Sequence, residues 1–210
     1  MVETTYTVPN APRLALLSDL HGRPYQEVIR SVQNFRPEMI CITGHLITGI
    51  LPENELSPLQ TQQNVRPFLQ ACVDIALTFV SLGNHEQVLD EADRKTIRNT
   101  GVILLDNTWI GKDNCIIDGL TSACVTDYRK AKPKDTPLRY PKVEHIQRAR
   151  TPEIAWLVDF AKQEGFHILL SHYPEHFPLI PQSIELILSG HAHGDQIRLF
   201  GRGLFALGQG

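Results

Sequence analysis

Five short apolar segments of this chain end in polar turns that carry potential metal ligands. Continuous apolar segments of this length are typical of strands buried on both faces, as in a layered α/β protein. In open α/β sheets, ligands bind beyond the carboxyl ends of the strands. The residues in these turns are Asp19 and His21; His45; Asn84 and His85; His172; and His191 and His193. The pattern predicts an α/β fold with a metal site at one edge of a sheet.

The turn Gly190-His191-Ala192-His193-Gly194 shows why the five turns have to be considered together. Histidines two residues apart can point into one pocket, and neutral imidazole is the commonest metal ligand in proteins. Taken alone, this turn is explained equally well as a solvated surface loop. Five such turns at the ends of apolar segments are hard to attribute to chance, so we favour a metal site.

The composition argues against nucleic acid and membrane as main partners. The chain has 210 residues and 42% hydrophobic residues, which suits a single globular domain spanning residues 1–210. Its formal charge of −3 gives no reason to expect nucleic-acid binding. No apolar segment is long enough to predict a transmembrane helix, and the N-terminus does not resemble a signal peptide. The four cysteines are interpreted as buried free thiols, so we expect a cytoplasmic protein.

Helices and further strands are predicted between and after these segments. Proline near a start and apolar residues at helical spacing predict four helices, at about 25–35, 65–76, 88–99 and 152–163. Three short strands separated by turn residues predict a meander, at 102–105, 108–110 and 115–120. Two segments around Gly201 predict a terminal hairpin, at 197–200 and 203–207.

Residues 125–151 form the least regular part of the sequence. Lysine and arginine outnumber the acidic residues there, and three prolines interrupt the segment. We interpret the segment as an irregular basic insertion at the surface. The alternative is a lid that brings positive charge over an anionic substrate.

The turns taken in order resemble the calcineurin-like metallophosphoesterase superfamily. The resemblance is carried by Asp19-Leu20-His21, Gly44-His45, Gly83-Asn84-His85-Glu86, His172 and Gly190-His191-Ala192-His193. It implies a four-layer α/β/β/α sandwich, with mixed sheets flanked by helices. It also implies a metal-dependent hydrolase that cleaves a P–O bond in a phosphomonoester, phosphodiester or pyrophosphate. The C-terminal sequence is similar to the YkuE-type bacterial branch, which implies a small phosphorylated substrate linked to a nucleotide or a lipid.

The resemblance also assigns roles to residues. The ligands of a first metal match Asp19, His21 and His193, and those of a second match Asn84, His172 and His191. His85 matches the residue that stabilises the transition state or protonates the leaving oxygen. Two such metals would clamp a phosphate and activate a water molecule for in-line attack on phosphorus. Glu86 is interpreted as a residue at a helix start rather than as a ligand.

Position 45 departs from the family pattern, which has a bridging aspartate where this chain has His45. A carboxylate bridges two cations through its two oxygens, whereas a neutral imidazole has one free lone pair. We therefore expect one or two divalent metal ions, held less tightly than in relatives. The nitrogen-rich ligand set favours manganese, zinc or iron over magnesium. The competing interpretation is a catalytically weak or silent protein that binds metal or phosphate.

Overall fold

The structure is a computed structural model that describes residues 3–48, 57–121, 154–191, 197–199 and 202–205. Two four-stranded sheets and one two-stranded hairpin lie within these residues. The predicted insertion at 125–151 and the residues Cys124 and His193 fall outside them. No helix of the described residues has the length and apolar character needed to cross a bilayer.

The first sheet is parallel throughout and has the strand order β1-β2-β3-β4. Its strands are β1 (Leu14–Leu17), β2 (Met39–Ile42), β3 (Leu77–Ser81) and β4 (Ile103–Leu105). The helices between them are α1 (Gln26–Phe35), α2 (Pro58–Thr61), α3 (Val65–Val73) and α4 (Glu91–Arg98). Parallel strands need such crossovers, and α1, α3 and α4 bury apolar residues against one face of the sheet. This arrangement leaves the carboxyl ends of all four strands at one edge.

The second sheet is mixed and has the strand order β5-β6-β7-β8. Its strands are β5 (Thr108–Lys112), β6 (Cys115–Leu120), β7 (Phe166–Ser171) and β8 (Leu186–Leu188). The first pair is antiparallel, and β6, β7 and β8 are parallel to one another. A short helix, α5 (Leu157–Phe160), packs on its outer face against Leu120 and Leu169. A separate antiparallel hairpin joins β9 (Ile197–Leu199) to β10 (Arg202–Phe205), close to the predicted positions.

The two sheets pack face to face through an apolar layer. Met39, Cys41 and Phe79 of the first sheet lie in one buried cluster with Ile117 and Ile168 of the second. The helices lie on the outer faces, so the order of layers is helix, sheet, sheet, helix. The predicted four-layer α/β/β/α sandwich is therefore confirmed. The three described cysteines, Cys41, Cys72 and Cys115, are buried and free, as expected.

The predicted meander is right for β5 and β6, which form an antiparallel pair, and wrong for β4. Strand β4 pairs in parallel with β3 in the first sheet, whereas β5 begins the second sheet. Strand β4 lies at the edge of the first sheet, where its apolar side chains pack against the layers on both sides. Leu104 packs towards the helices, and Ile103 and Leu105 pack towards the second sheet.

Three predicted helices differ in extent, and the one predicted at 65–76 ends at Val73. The helix predicted from residue 88 begins at Glu91, because Asp90 caps it by accepting a hydrogen bond from the Asp93 backbone N–H at 2.9 Å. A separate 3₁₀ turn, His85–Val88, precedes it. The helix predicted at 152–163 is reduced, in its described part, to the single turn of α5. Its buried side chains Leu157 and Phe160 pack on the second sheet, together with the partly buried Ile154 and Trp156.

Candidate metal centre

The predicted turns lie where strands of both sheets end. Asp19 and His21 follow β1, His45 follows β2, and Asn84 and His85 follow β3. His172 and His191 follow β7 and β8 of the second sheet. Hydrogen bonds tie neighbouring turns together: the backbone N–H of His21 donates to the His45 carbonyl at 2.8 Å, and that of Gly190 to the His172 carbonyl at 3.1 Å. The edge where the strands end is thus a set of connected turns.

Four of these residues have a left-handed backbone. The φ angles of Asp19, His21, His45 and His191 are 59°, 51°, 52° and 68°. Residues other than glycine rarely adopt this conformation, and it tends to occur at functional sites, where the surrounding structure compensates for the strain. In this chain the left-handed conformation reverses the backbone directly after a strand. The side chains of the turn therefore stay at the edge of the sheet.

His45 lies at the centre of the site. Its side chain is 3% exposed, with Nδ1 2.6 Å from Oδ1 of Asp19 and Nε2 2.7 Å from Oδ1 of Asn84. The rings of His85 and His172 both have their centroids 3.8 Å from the His45 ring. Both nitrogens of His45 therefore contact oxygens of residues that the sequence assigned to two different metals.

Among the described residues, two groups of three histidines could each hold a metal ion, and both groups include His45. One consists of His21, His45 and His85, the other of His45, His172 and His191. In each group the candidate ligand atoms lie within 4.8 Å of one another. A neutral imidazole has only one nitrogen lone pair, so His45 can serve one of the two groups at a time.

His172 has the tautomer that a metal ligand requires. Its Nδ1–H donates to the backbone carbonyl of Thr43 at 2.5 Å, which leaves the lone pair on Nε2. This Nε2 is buried and has no hydrogen-bond partner among the described residues. Burial, reinforced by the charge of His45, lowers the pKa of His172 well below its ordinary value, so the ring is neutral at neutral pH. A buried acceptor without a partner costs free energy that a bound metal would offset, so the residues present fit a divalent metal.

The other titratable groups of the site also have shifted pKa values. Burial raises the pKa of Asp19, but the hydrogen bond and charge of His45 outweigh it and hold that pKa well below its usual range. Asp19 is therefore an anion. Burial, with the charge of His45 as a second cause, lowers the pKa of His85 to about 3. Its Nδ1–H donates to the Ile47 carbonyl at 3.1 Å, which leaves Nε2 unprotonated at neutral pH.

The interpretation of Glu86 as a helix-start residue missed its main contacts. Glu86 does lie in the 3₁₀ turn, but its side chain is fully buried. Its carboxylate accepts hydrogen bonds from the backbone N–H groups of His45, Ile47 and Gly83, at 3.0, 3.2 and 2.9 Å. The local sequence could not indicate this role, because two of the three donors belong to a turn about 40 residues away, after a different strand.

Seven of the eight residues assigned from the sequence come together here: Asp19, His21, His45, Asn84, His85, His172 and His191. The eighth, His193, lies outside the described residues.

The chain is similar to known proteins in sequence and in fold. The sequence is 26% identical over 198 residues to the uncharacterized protein YpbG of Bacillus subtilis (strain 168). That alignment covers 92% of this chain but only 65% of the relative, so the chain spans less than two thirds of its length. A solved crystal structure with 12% sequence identity is similar in fold, with a TM-score of 0.53 over 92% of this chain and 89% of the other. The sequence model of the calcineurin-like phosphoesterases matches residues 12–195. A match over this much of the chain means that it belongs to the calcineurin-like phosphoesterase family.

Proposed function

We propose that this chain is a metallophosphoesterase that hydrolyses a P–O bond of a small phosphorylated substrate. The observation that carries the proposal is the buried Nε2 of His172, a lone pair without a partner among the described residues, next to His45 and His191. When bound, a divalent transition metal would supply a Lewis acid and an activated water molecule. The nitrogen ligands favour zinc, manganese or iron over magnesium.

The ligands of this metal are His45, His172 and His191. Asp19, His21 and Asn84, together with His193, complete the set assigned from the family pattern. A second ion would be held more weakly, because position 45 offers one imidazole where relatives have a bridging carboxylate with two oxygens. Asp19 is the anionic member of the set, so the chain offsets little of the positive charge of two divalent ions.

We assign His85 to the substrate phosphate. Its ring stacks on His45 with 3.8 Å between centroids, which places it beside the proposed ligands. With Nδ1–H donated to Ile47, the ring needs a proton on Nε2 before it can donate to a phosphate or a leaving oxygen. A bound phosphate would raise the pKa of His85 through its negative charge. His85 would therefore carry this proton only in the complex with substrate.

The substrate class follows from the family resemblance. We propose a phosphomonoester, phosphodiester or pyrophosphate that is linked to a nucleotide or a lipid, and a cytoplasmic location for the reaction. Attack would be in line, by a metal-bound hydroxide.

A second candidate is a weak or silent protein that binds metal or phosphate without turnover. The observation in its favour is the pair of contacts from His45 to Asp19 and Asn84. These contacts engage one oxygen of each proposed ligand, and metal binding would have to replace them.

Hydrolysis of generic substrates separates the two candidates. We expect turnover of p-nitrophenyl phosphate or bis(p-nitrophenyl) phosphate by protein supplied with Mn²⁺ or Zn²⁺, and metal in the purified protein by elemental analysis. His172→Ala should abolish both. His167→Gln is the matched control, because His167 bonds to Glu185 at 2.8 Å and is not part of the site. Bound metal or phosphate without turnover supports the silent protein, and neither binding nor turnover contradicts both candidates.

A further inference from the structure

We infer that Glu86 is a positioning residue for the metal centre. Its carboxylate holds together the turn that carries His45 and the turn that carries Asn84 and His85. This role of Glu86 rests on the proposed metal function. The hydrogen bonds of Glu86 can be measured in protein that holds no metal.

The carboxylate joins two turns from neighbouring strands of the first sheet. Oε2 accepts from the His45 N–H at 3.0 Å and from the Gly83 N–H at 2.9 Å, and Oε1 accepts from the Ile47 N–H at 3.2 Å. All three donors lie where parallel strands have ended, so the ladder of the sheet no longer pairs them. Because Glu86 is fully buried, water does not compete for these bonds.

Two glycines make room for this contact. A Cβ atom on Gly44 would lie 2.4 Å from the backbone nitrogen of Gly83, and a Cβ on Gly83 would lie 3.0 Å from Oε2 of Glu86. The two backbones therefore touch, and the carboxylate fits against the junction. A residue with a side chain at either position would occupy the space between the two turns.

Backbone hydrogen bonds link the His45 turn, which Glu86 holds, to the turn after β1. The backbone N–H groups of His21 and Gly22 donate to the carbonyls of His45 and Leu46, both at 2.8 Å. A shift of the His45 turn would thus move the turn that carries Asp19 and His21. On the other side, the ring of His172 lies 3.0 Å from the Cβ position of Gly83. One buried carboxylate consequently sets the spacing among residues from the turns after β1, β2 and β3.

Glu86→Gln tests this role with almost no change in shape. The amide keeps one acceptor oxygen but places an NH₂ group against one or two backbone N–H donors. Residues that orient metal ligands typically change metal affinity by about 10- to 100-fold when they are replaced. We expect a loss of that size in the affinity for Zn²⁺ or Mn²⁺, measured by titration calorimetry on folded protein. Glu86→Asp keeps the charge and should be affected less.

The control is Glu185→Gln, the same substitution at a carboxylate that also accepts a backbone N–H, from His167 at 2.9 Å. It should leave metal affinity unchanged. Equal affinity of wild type and folded Glu86→Gln would overturn the inference and reduce Glu86 to a purely structural residue.

Amide hydrogen exchange of the metal-free wild type provides a second test that does not need a foldable variant. The N–H groups of His45, Ile47 and Gly83 should exchange slowly, and rapid exchange at all three would overturn the inference. A wild type that shows slow exchange but binds no metal would instead contradict the proposed function.

Discussion

The imidazole of His45 lies against the carboxylate of Asp19, with 2.6 Å between Nδ1 and Oδ1. The two residues follow adjacent parallel strands, β1 and β2, and both have left-handed backbones. The contact joins the residue that departs from the family pattern to the carboxylate assigned to the first metal. We therefore expect the residue at position 45 to control how many metal ions the site binds.

Replacing His45 by aspartate should restore a ligand that can bridge two cations. The carboxylate offers two oxygens and adds a negative charge where Asp19 is otherwise the anionic ligand. We expect His45→Asp to bind a second metal ion at least about 10-fold more tightly than the wild type, the lower end of the range for changes around metal ligands. Phosphodiester turnover should rise as well. Elemental analysis after dialysis and initial rates with Mn²⁺ measure both effects. Unchanged metal content and turnover would mean that His45 does not limit the site.

His85 should stay neutral over the whole range in which an ordinary histidine titrates. Burial, with the charge of His45, lowers its pKa from 6.5 to about 3. Because the folded pKa is lower than the unfolded one, the associated stability is present above pH 6.5 and is lost as the pH falls towards 3. In NMR spectra of metal-free protein, the His85 ring signals should not shift between pH 8 and pH 5, roughly the range in which free histidine titrates. A midpoint near 6.5 would contradict the buried position of the ring.

Asp118 should make the protein less stable as the pH rises. Its carboxyl group is fully buried in β6, opposite Trp109 and Leu169. Burial raises the pKa of Asp118 from 3.8 to about 8. The unfolded chain therefore releases this proton first, and stability falls by about 1.4 kcal/mol per pH unit between these values.

Asp118→Asn removes this titration and keeps the shape of the side chain. The free energy of unfolding from urea denaturation, measured at several values between pH 5 and pH 8, should decrease less steeply in the variant. Parallel curves for wild type and variant would show that Asp118 is not a buried neutral acid.

Gly44→Ala should destabilise the junction beneath the metal centre. Gly44 has φ +87°, and a Cβ there would lie 2.4 Å from the backbone nitrogen of Gly83. Strain of this kind costs on the order of 1–3 kcal/mol, and displacement of the His45 turn should also weaken metal binding. Thermal unfolding and metal titration measure these effects.

Gly111→Ala provides the comparison for this substitution. The nearest neighbour of a Cβ at Gly111, in the exposed strand β5, is Ile116 Cδ1 at 3.6 Å, which is ordinary contact. Its stability and metal affinity should match those of the wild type. An effect at Gly44 no larger than that at Gly111 would contradict the close approach of Gly44 and Gly83.

The layered fold and most members of the candidate site could be predicted from the amino-acid sequence. The apolar strands predicted a layered α/β protein, and the resemblance of the motifs to the metallophosphoesterases implied the two sheets between layers of helices. The polar residues that end these strands then necessarily gather at one edge. For this reason Asp19, His172 and the other described candidate ligands could be expected at one site from the motifs in which they occur.

Which atoms meet at that edge depends on the tertiary structure. Strand β4 pairs with the first sheet because its side chains pack against both apolar layers. The turn residues around β4 did not indicate this pairing. Glu86 is a buried acceptor because backbone N–H groups of a distant turn lie beside it, beyond the end of the strand ladder. His45 came to contact Asp19 and Asn84 together because parallel pairing places the ends of β1, β2 and β3 side by side. Pairing between strands far apart in sequence sets these distances, and no local pattern contains them.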